Sequence, residues 1–208
     1  MSSMKLPGKI MRFDLHLIAS WITPGSKVLD LGCGEGSLLE YLIQNKNVKG
    51  SGIEQNESRV AKCIEKGLTV LQGDIATEVE DYPDNSFDYV ILSQTLQQVY
   101  APDNLIRAML RIGRKGIVSF PNFSHWRVRM HLFRTGYAPV TKQLPYQWYD
   151  TPNIRVITLK DFRKFAREVG YTIIKENAID SQSINKEGNI VRLMPDLRAT
   201  YGIFLISG

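Results

Sequence analysis

A chain of 208 residues, 43% hydrophobic and 23% charged, is long enough to bury one core and has the balance of a globular protein, which excludes the disordered and fibrous classes. No apolar run approaches the ~18 residues of a membrane span, the first residues lack the features of a secretory signal, and the two cysteines make no disulfide framework, so a reducing cytoplasm is the expected setting. The net charge of +5 is polarised: residues 51–100 carry three basic and nine acidic side chains, residues 101–150 eight basic and two acidic; that basic stretch is the feature that points to nucleic acid, and the absence of a nucleic-acid-binding motif argues against such a partner.

In chain order, a helix is expected around Asp14 to Trp21, followed by "KVLDLG" (Lys27 to Gly32) as a first strand and "SLLEYLIQNK" (Ser37 to Lys46) as its helix. "VKGSGIE" (Val48 to Glu54) reads as the second strand, and Val60, Cys63 and Ile64 as the buried stripe of a helix that stops at Gly67. The third strand is "LTVLQGD" (Leu68 to Asp74), the fourth "FDYVILSQ" (Phe87 to Gln94), and "GIVSFPN" the fifth, after a helix that starts with Pro102 and ends at Gly113. Strands alternating with helices predict a doubly wound parallel α/β sheet.

Beyond Asn122 an amphipathic helix "HWRVRMHLFRTG" precedes a long loop of aromatics and prolines, Tyr137 to Arg155, the candidate lid. "TLKDFRKFAREVG" is a helix with Thr158 as N-cap and Gly170 at its stop. "YTIIKENAI" and "YGIFLISG" read as closing strands, antiparallel at the sheet's edge and separated by a polar connector. No repeat or linker divides residues 1–208, so a single domain is expected.

The stretch "VLDLGCGEG" carries the chemistry. A strand ending near Asp30 and turning through Gly32, Gly34 and Gly36 lets a ligand approach backbone amides without Cβ obstruction. Its spacing departs from the G-x-G-x-x-G of a dinucleotide site, because Ser37 stands at the third position, and no phosphate-loop G-K follows. Glu54, at the end of the second strand, is placed to accept from ribose hydroxyls, and Asp74, closing the third, from an adenine amine. Ile75 and Leu96 offer apolar contact to the ring, and Asp30 a place for an ammonium. Ribose, adenine and ammonium acceptors together describe S-adenosylmethionine or S-adenosylhomocysteine better than a dinucleotide. Cys33, Gln55 and Ser93 adjoin these positions and complete the candidate set.

"VLDLGCGEGSLL", "GIE", "LQGDI" and "SFDYVILSQTLQQV" resemble the successive cofactor motifs of the class I S-adenosylmethionine-dependent methyltransferases. "GIVSFPNFSHWRVRMHLFRTG" and "LPYQWYDTPNIRVITLKDF" narrow the resemblance, from about Met11 to Phe204, to the methionine biosynthesis protein MetW family. The wider resemblance implies a Rossmann-like, seven-stranded, mostly parallel sheet with helices on both faces. It assigns Asp30 and the three glycines to the methionine side, Glu54 to ribose and Asp74 to adenine. The narrower one implies a role in methionine biosynthesis as partner or activator of homoserine O-acetyltransferase.

Catalytic residues are less legible. Where many small-molecule methyltransferases carry a histidine after the fourth strand, this chain has Gln97 and Gln98, which cannot take up a proton near neutral pH. Gln97 and His125 are the catalytic candidates. Trp126, Arg127, Arg129, Tyr146, Trp148 and Tyr149 are candidates for contacting a substrate or partner. No metal site is suggested by three scattered histidines and two cysteines, Cys33 and Cys63, far apart in sequence. The sequence favours, in order, a cofactor-binding partner of homoserine O-acetyltransferase, a methyltransferase acting on a small-molecule acceptor, and nucleic-acid modification.

Overall fold

The computed structural model describes residues 11–141, 144–181 and 188–208. Five parallel-paired strands come first: β1 (Lys27–Leu31), β2 (Lys49–Glu54), β3 (Thr69–Gln72), β4 (Phe87–Ser93) and β5 (Gly113–Pro121). Three antiparallel strands follow, β6 (Thr172–Ser181), β7 (Gly188–Ile190) and β8 (Tyr201–Ser207). They form one mixed sheet in the order β3-β2-β1-β4-β5-β8-β6-β7. Eight strands therefore stand among the described residues where seven, mostly parallel, were expected. The additional one is β7, three residues within the stretch expected to be a polar connector, paired through Ile179–Ile190, Asp180–Asn189 and Ser181–Gly188. The order reverses between β1 and β4, and ligands of doubly wound sheets bind at the carboxyl ends of strands flanking such a switch point.

Alternation along each strand builds two cores. Leu29 and Leu31 of β1, Val90 and Leu92 of β4, and Val118 and Phe120 of β5 face one layer. There they meet α5 (Pro102–Ile112) and α7 (Leu159–Val169), with Phe120, Phe162 and Phe204 packed at centroid distances of 4.6–5.6 Å. Val28, Ile91, Ile117 and Leu205 face the opposite layer, covered by α1 (Phe13–Trp21) and α2 (Ser37–Lys46) through Ile18, Trp21, Leu38 and Leu42. Cys33, Leu39, Cys63 and Leu68 form a small third cluster beneath the glycine loop, where α3 (Glu57–Glu65) packs.

Local signals set several boundaries. Asn56 caps α3 by accepting from the Arg59 N–H, and Thr158 with Asp161 forms a reciprocal capping box at α7, which ends at Gly170 in the left-handed region. Other expectations need correction. Ile64 faces solvent, because the stripe of α3 turns inward through Val60 and Cys63 alone. β3 ends at Gln72, and Asp74, expected to close that strand, instead caps α4 (Ile75–Glu78) by accepting from the Ala76 N–H. β5 starts at Gly113, directly after α5, not at Gly116, and a short helix α8 (Pro195–Arg198) precedes β8. α6 (Trp126–Thr135) forms as expected but buries none of its residues.

Candidate functional site

The glycine loop leaves β1 at the switch point. Gly32, Gly34 and Gly36 all have positive φ, +74°, +58° and +73°, so the chain reverses within five residues of the strand's end. The turn is braced from β2: the Gly32 and Cys33 N–H groups donate to the Ile53 carbonyl, and the Gly34 N–H donates to Glu54 Oε2 at 2.8 Å. Glu54 is buried and also accepts from the Asn56 N–H at 2.9 Å, so one carboxylate ties the loop to the start of α3 and retains lone pairs for further donors. A Cβ at Gly34 would meet nothing within 4 Å, so the loop is open to an approaching ligand at that point.

Asp30 lies behind this loop, on the α1–α2 face of β1. It is buried, and its Oδ1 has no hydrogen-bond partner among the described residues. Desolvation, reinforced by the nearby Glu54, pushes its carboxyl up to about 7. A buried, unpartnered carboxylate oxygen is unfavourable unless a donor arrives, and a cationic ammonium suits it best. Beyond Glu54, Gln55 is exposed, as is Asp74, while the Gly73 N–H donates to the Glu54 carbonyl, so the ends of β2 and β3 adjoin. Ile75 is half-buried against the core.

The crevice's other wall is the end of β4. Ser93 Oγ lies 3.1 Å from Ser119 Oγ on β5, and a Cβ at Gly32 would come within 2.8 Å of Thr95 Oγ1, so loop and wall are in close contact. Gln94 adopts φ +54°, unusual for a residue with a side chain, and its Nε2 donates to Asp14 Oδ2 at 2.7 Å. That bond pins the start of α1 to the cofactor edge of the sheet. Sequence reading missed this pair, though an acid on the apolar stripe shared with Ile18 and Trp21 was a usable sign of a buried partner. Leu96, expected against the ring, is 2% exposed and belongs to the core beneath the 3-10 turn Leu96–Gln98. Gln97 is likewise buried: its Nε2 donates to the Gln94 carbonyl, and its Oε1 is unpartnered among the described residues.

The cysteines, far apart in sequence, meet beneath the loop. Cys63 Sγ donates to the Gly34 carbonyl at 3.2 Å and lies within reach of Cys33. Burial pushes both thiols up, which makes them packing groups rather than nucleophiles. Among the described residues no cluster of His, Cys, Asp and Glu is arranged to hold a metal.

At the end of β5, Asn122 donates to the Asp196 and Ala199 carbonyls while its Oδ1 accepts from Ser124. This fixes the turn that presents His125. His125 is the N-cap of α6: its Nδ1 accepts from the Arg127 N–H at 3.2 Å. Burial lowers its pKa against the opposing charge of Asp180, with Arg127 adding to the lowering, and the capping bond at Nδ1 puts the proton of the neutral imidazole on Nε2. With Nδ1 engaged in the cap, Nε2–H is the group it offers to its surroundings. Arg129 Nε donates to the Ser124 carbonyl, and Arg127 lies over the Trp126 ring at 5.4 Å. In the long loop Tyr146, Trp148 and Tyr149 are exposed, so the aromatics do not anchor it; Leu144 is buried, and Arg155 donates to the Val99 and Tyr100 carbonyls.

The fold has many solved counterparts. An S-adenosylmethionine-dependent methyltransferase from Archaeoglobus fulgidus superposes with a TM-score of 0.69 at 14% identity, covering 94% of this chain and 91% of that one. The cyclase SpnF superposes with 0.65 at 18% identity, covering 93% and 79%. Among sequence relatives, the ubiquinone biosynthesis O-methyltransferase of Pseudomonas fluorescens is 28% identical over 186 residues, 86% of this chain and 77% of that one. The bifunctional methionine biosynthesis protein MetXA/MetW of Rhodopirellula baltica is 33% identical over 175 residues, 80% of this chain but only 28% of the relative's length. The fold is that of the class I S-adenosylmethionine-dependent methyltransferases, and residues 12–206 match the pattern of a single family within it. The chain belongs to the methionine biosynthesis protein MetW family.

Proposed function

We propose that the chain binds S-adenosylmethionine at the switch point and acts as a methyltransferase on a small-molecule acceptor. The observation that carries this is the unpartnered, buried Oδ1 of Asp30 beside a glycine loop already braced by Glu54. The residues fit the cofactor: Asp30 for its ammonium, the amides of the loop for its carboxylate, Glu54 for the ribose hydroxyls, and Asp74 with Ile75 for the adenine. Bound there, the cofactor supplies an electrophilic methyl group on a sulfonium. This chain's own part is to orient the acceptor and exclude water, since Gln97, buried just beyond the end of β4, cannot take up a proton near neutral pH. Calorimetry with S-adenosylhomocysteine against NAD tests the binding, and S-adenosylhomocysteine formed beyond one equivalent tests the transfer. Binding of NAD alone would overturn the cofactor reading.

A second reading is supported by the Rhodopirellula baltica relative, where MetXA and MetW names are joined in one protein. A MetW-type chain joined to its neighbour suggests physical partnership, here with homoserine O-acetyltransferase. Exposed Trp126 and Phe133 on α6, with Arg127 and Arg129, and exposed Trp148 and Tyr149 in the long loop are side chains suited to such a contact. Co-purification, followed by acyltransferase assays across cofactor concentrations, tests it: no complex and unchanged activity would remove it.

A further inference from the structure

A cavity of about 440 Å³ opens at the carboxyl edge of the sheet, on the far side of β4 from the glycine loop. Its floor is the end of β5 at Pro121 and Asn122, the start of β8 at Thr200, and Asp180 near the end of β6. α6 contributes His125, Trp126 and Arg127, the long loop contributes Leu144, and α8 contributes Arg198. The Asn122 bonds to the Asp196 and Ala199 carbonyls hold α8, and with it Arg198, against the end of β5.

The charges of this cavity form no ion pair with one another among the described residues, although Arg127 lies over the Trp126 ring and Asp180 acts on His125. Arg127, Arg198 and Asp180 form no ion pair there, whereas nearby Arg163 is paired with both Glu176 and Asp196. The capping bond at Nδ1 leaves the 8%-exposed His125 presenting Nε2–H, which makes no hydrogen bond among the described residues. Two arginines and an imidazole N–H therefore line the cavity with one carboxylate, an excess of donors and positive charge. Trp126, Val128 and Leu144 supply an apolar wall that an inorganic anion would leave unused.

We infer that this cavity binds a small organic carboxylate, its carboxyl held by Arg127, Arg198 and His125 Nε2–H, and its hydroxyl or ammonium group by Asp180. The planar fork of arginine matches a carboxylate in a way an ammonium cannot. The inference rests on the methyltransferase reading in one respect: it names the acceptor class for that transfer. The cavity lies on the same sheet edge as the cofactor crevice, and the Ser93–Ser119 contact joins the strand ends between them.

The test uses the full chain and a matched probe set: 3-phenylpropanoate, its amide 3-phenylpropanamide, L-phenylalanine and inorganic phosphate. Affinities are measured by calorimetry, with an S-adenosylhomocysteine isotherm on the same samples. The carboxylate should bind at least ten-fold more tightly than the amide and than phosphate. Arg198→Met should abolish that preference while leaving S-adenosylhomocysteine affinity and circular dichroism unchanged. Arg127→Met should do the same, and Asp180→Asn should remove any gain of L-phenylalanine over 3-phenylpropanoate. Equal affinity for acid and amide, equal affinity for phosphate, or a preference that survives both arginine variants would overturn the inference. If S-adenosylhomocysteine binds and no carboxylate preference appears, only the cavity assignment fails. If the preference appears without cofactor binding, the methyltransferase reading fails and the anion site stands.

Discussion

The glycine loop and the segment from α6 through the long loop both begin where a parallel strand runs out at the same edge of the sheet, yet they are built on opposite terms. At the loop, backbone donors meet Glu54 and two buried thiols pack beneath, so the turn is held by hydrogen bonds and by a small core. On α6 no residue is buried, and Phe133 is 86% exposed. The first region is pre-organised for a ligand that fits existing groups. The second presents apolar surface whose stabilisation depends on what covers it. Two glycines make the contrast measurable, because Gly36 and Gly136 share nearly the same backbone, φ +73° and +70°.

The largest expected effect is Gly36→Ala. Its Cβ would lie 2.3 Å from Leu68 Cδ1 and 3.0 Å from Cys63 Sγ, so left-handed strain is joined by overpacking, together about 3 kcal/mol. Gly136→Ala, with nothing within 4 Å of its Cβ, should cost only about 1 kcal/mol. Equal losses in urea denaturation would break the contrast.

Asp30 sharpens it next. Its folded pKa, about 7, lies above the 3.8 of the exposed group, so the folded state holds the proton more tightly. The associated stability is fully present below pH 3.8 and is lost as pH rises through about 7, a decline of a few kcal/mol. Asp30→Asn should flatten that decline in the ligand-free protein, making it the more stable chain at pH 8, while weakening S-adenosylmethionine binding. Denaturation at pH 4 and pH 8 and calorimetry check both arms. A variant as pH-sensitive as the parent would place the titration elsewhere.

Glu54→Ala removes a buried acceptor from the loop and from the proposed ribose contact, with an expected loss of about 1.5–3 kcal/mol in S-adenosylhomocysteine affinity. Unchanged affinity would put Glu54 outside the binding region. The smallest effect is expected on the open side. Trp148→Ala should alter the stability of the isolated chain by less than about 0.5 kcal/mol, since the ring is 76% exposed, while, under the partner reading, reducing capture of homoserine O-acetyltransferase. A large fall in melting temperature would show that the loop is held by its aromatics after all.

The parallel half of the fold was legible because buried strands such as "DYVILS" and capped helices such as the one opened by Thr158 carry their signals locally. β7 was not, because three residues, Gly188–Ile190, hold no periodicity and owe their strand to pairing with β6. At the site, the glycines, Asp30 and Glu54 could be read from their places at strand ends. The Asp14–Gln94 bond, the meeting of Cys33 with Cys63 and the imidazole nitrogen that His125 uses as its cap could not. Each depends on a contact between distant segments or on which imidazole nitrogen is occupied, and neither is written in spacing.

The position of β8 governs how such a molecule can assemble. It follows every other strand in the chain but lies between β5 and β6, pairing with both. Until it is synthesised, β5 keeps an open edge with unpaired backbone groups, and β6 and β7 have no neighbour through which to join the sheet. Emergence from the ribosome thus leaves the parallel half as an incomplete sheet awaiting a long-range closure. Folding of the whole should be slow for its size, and a chaperone that shields the β5 edge should raise its yield.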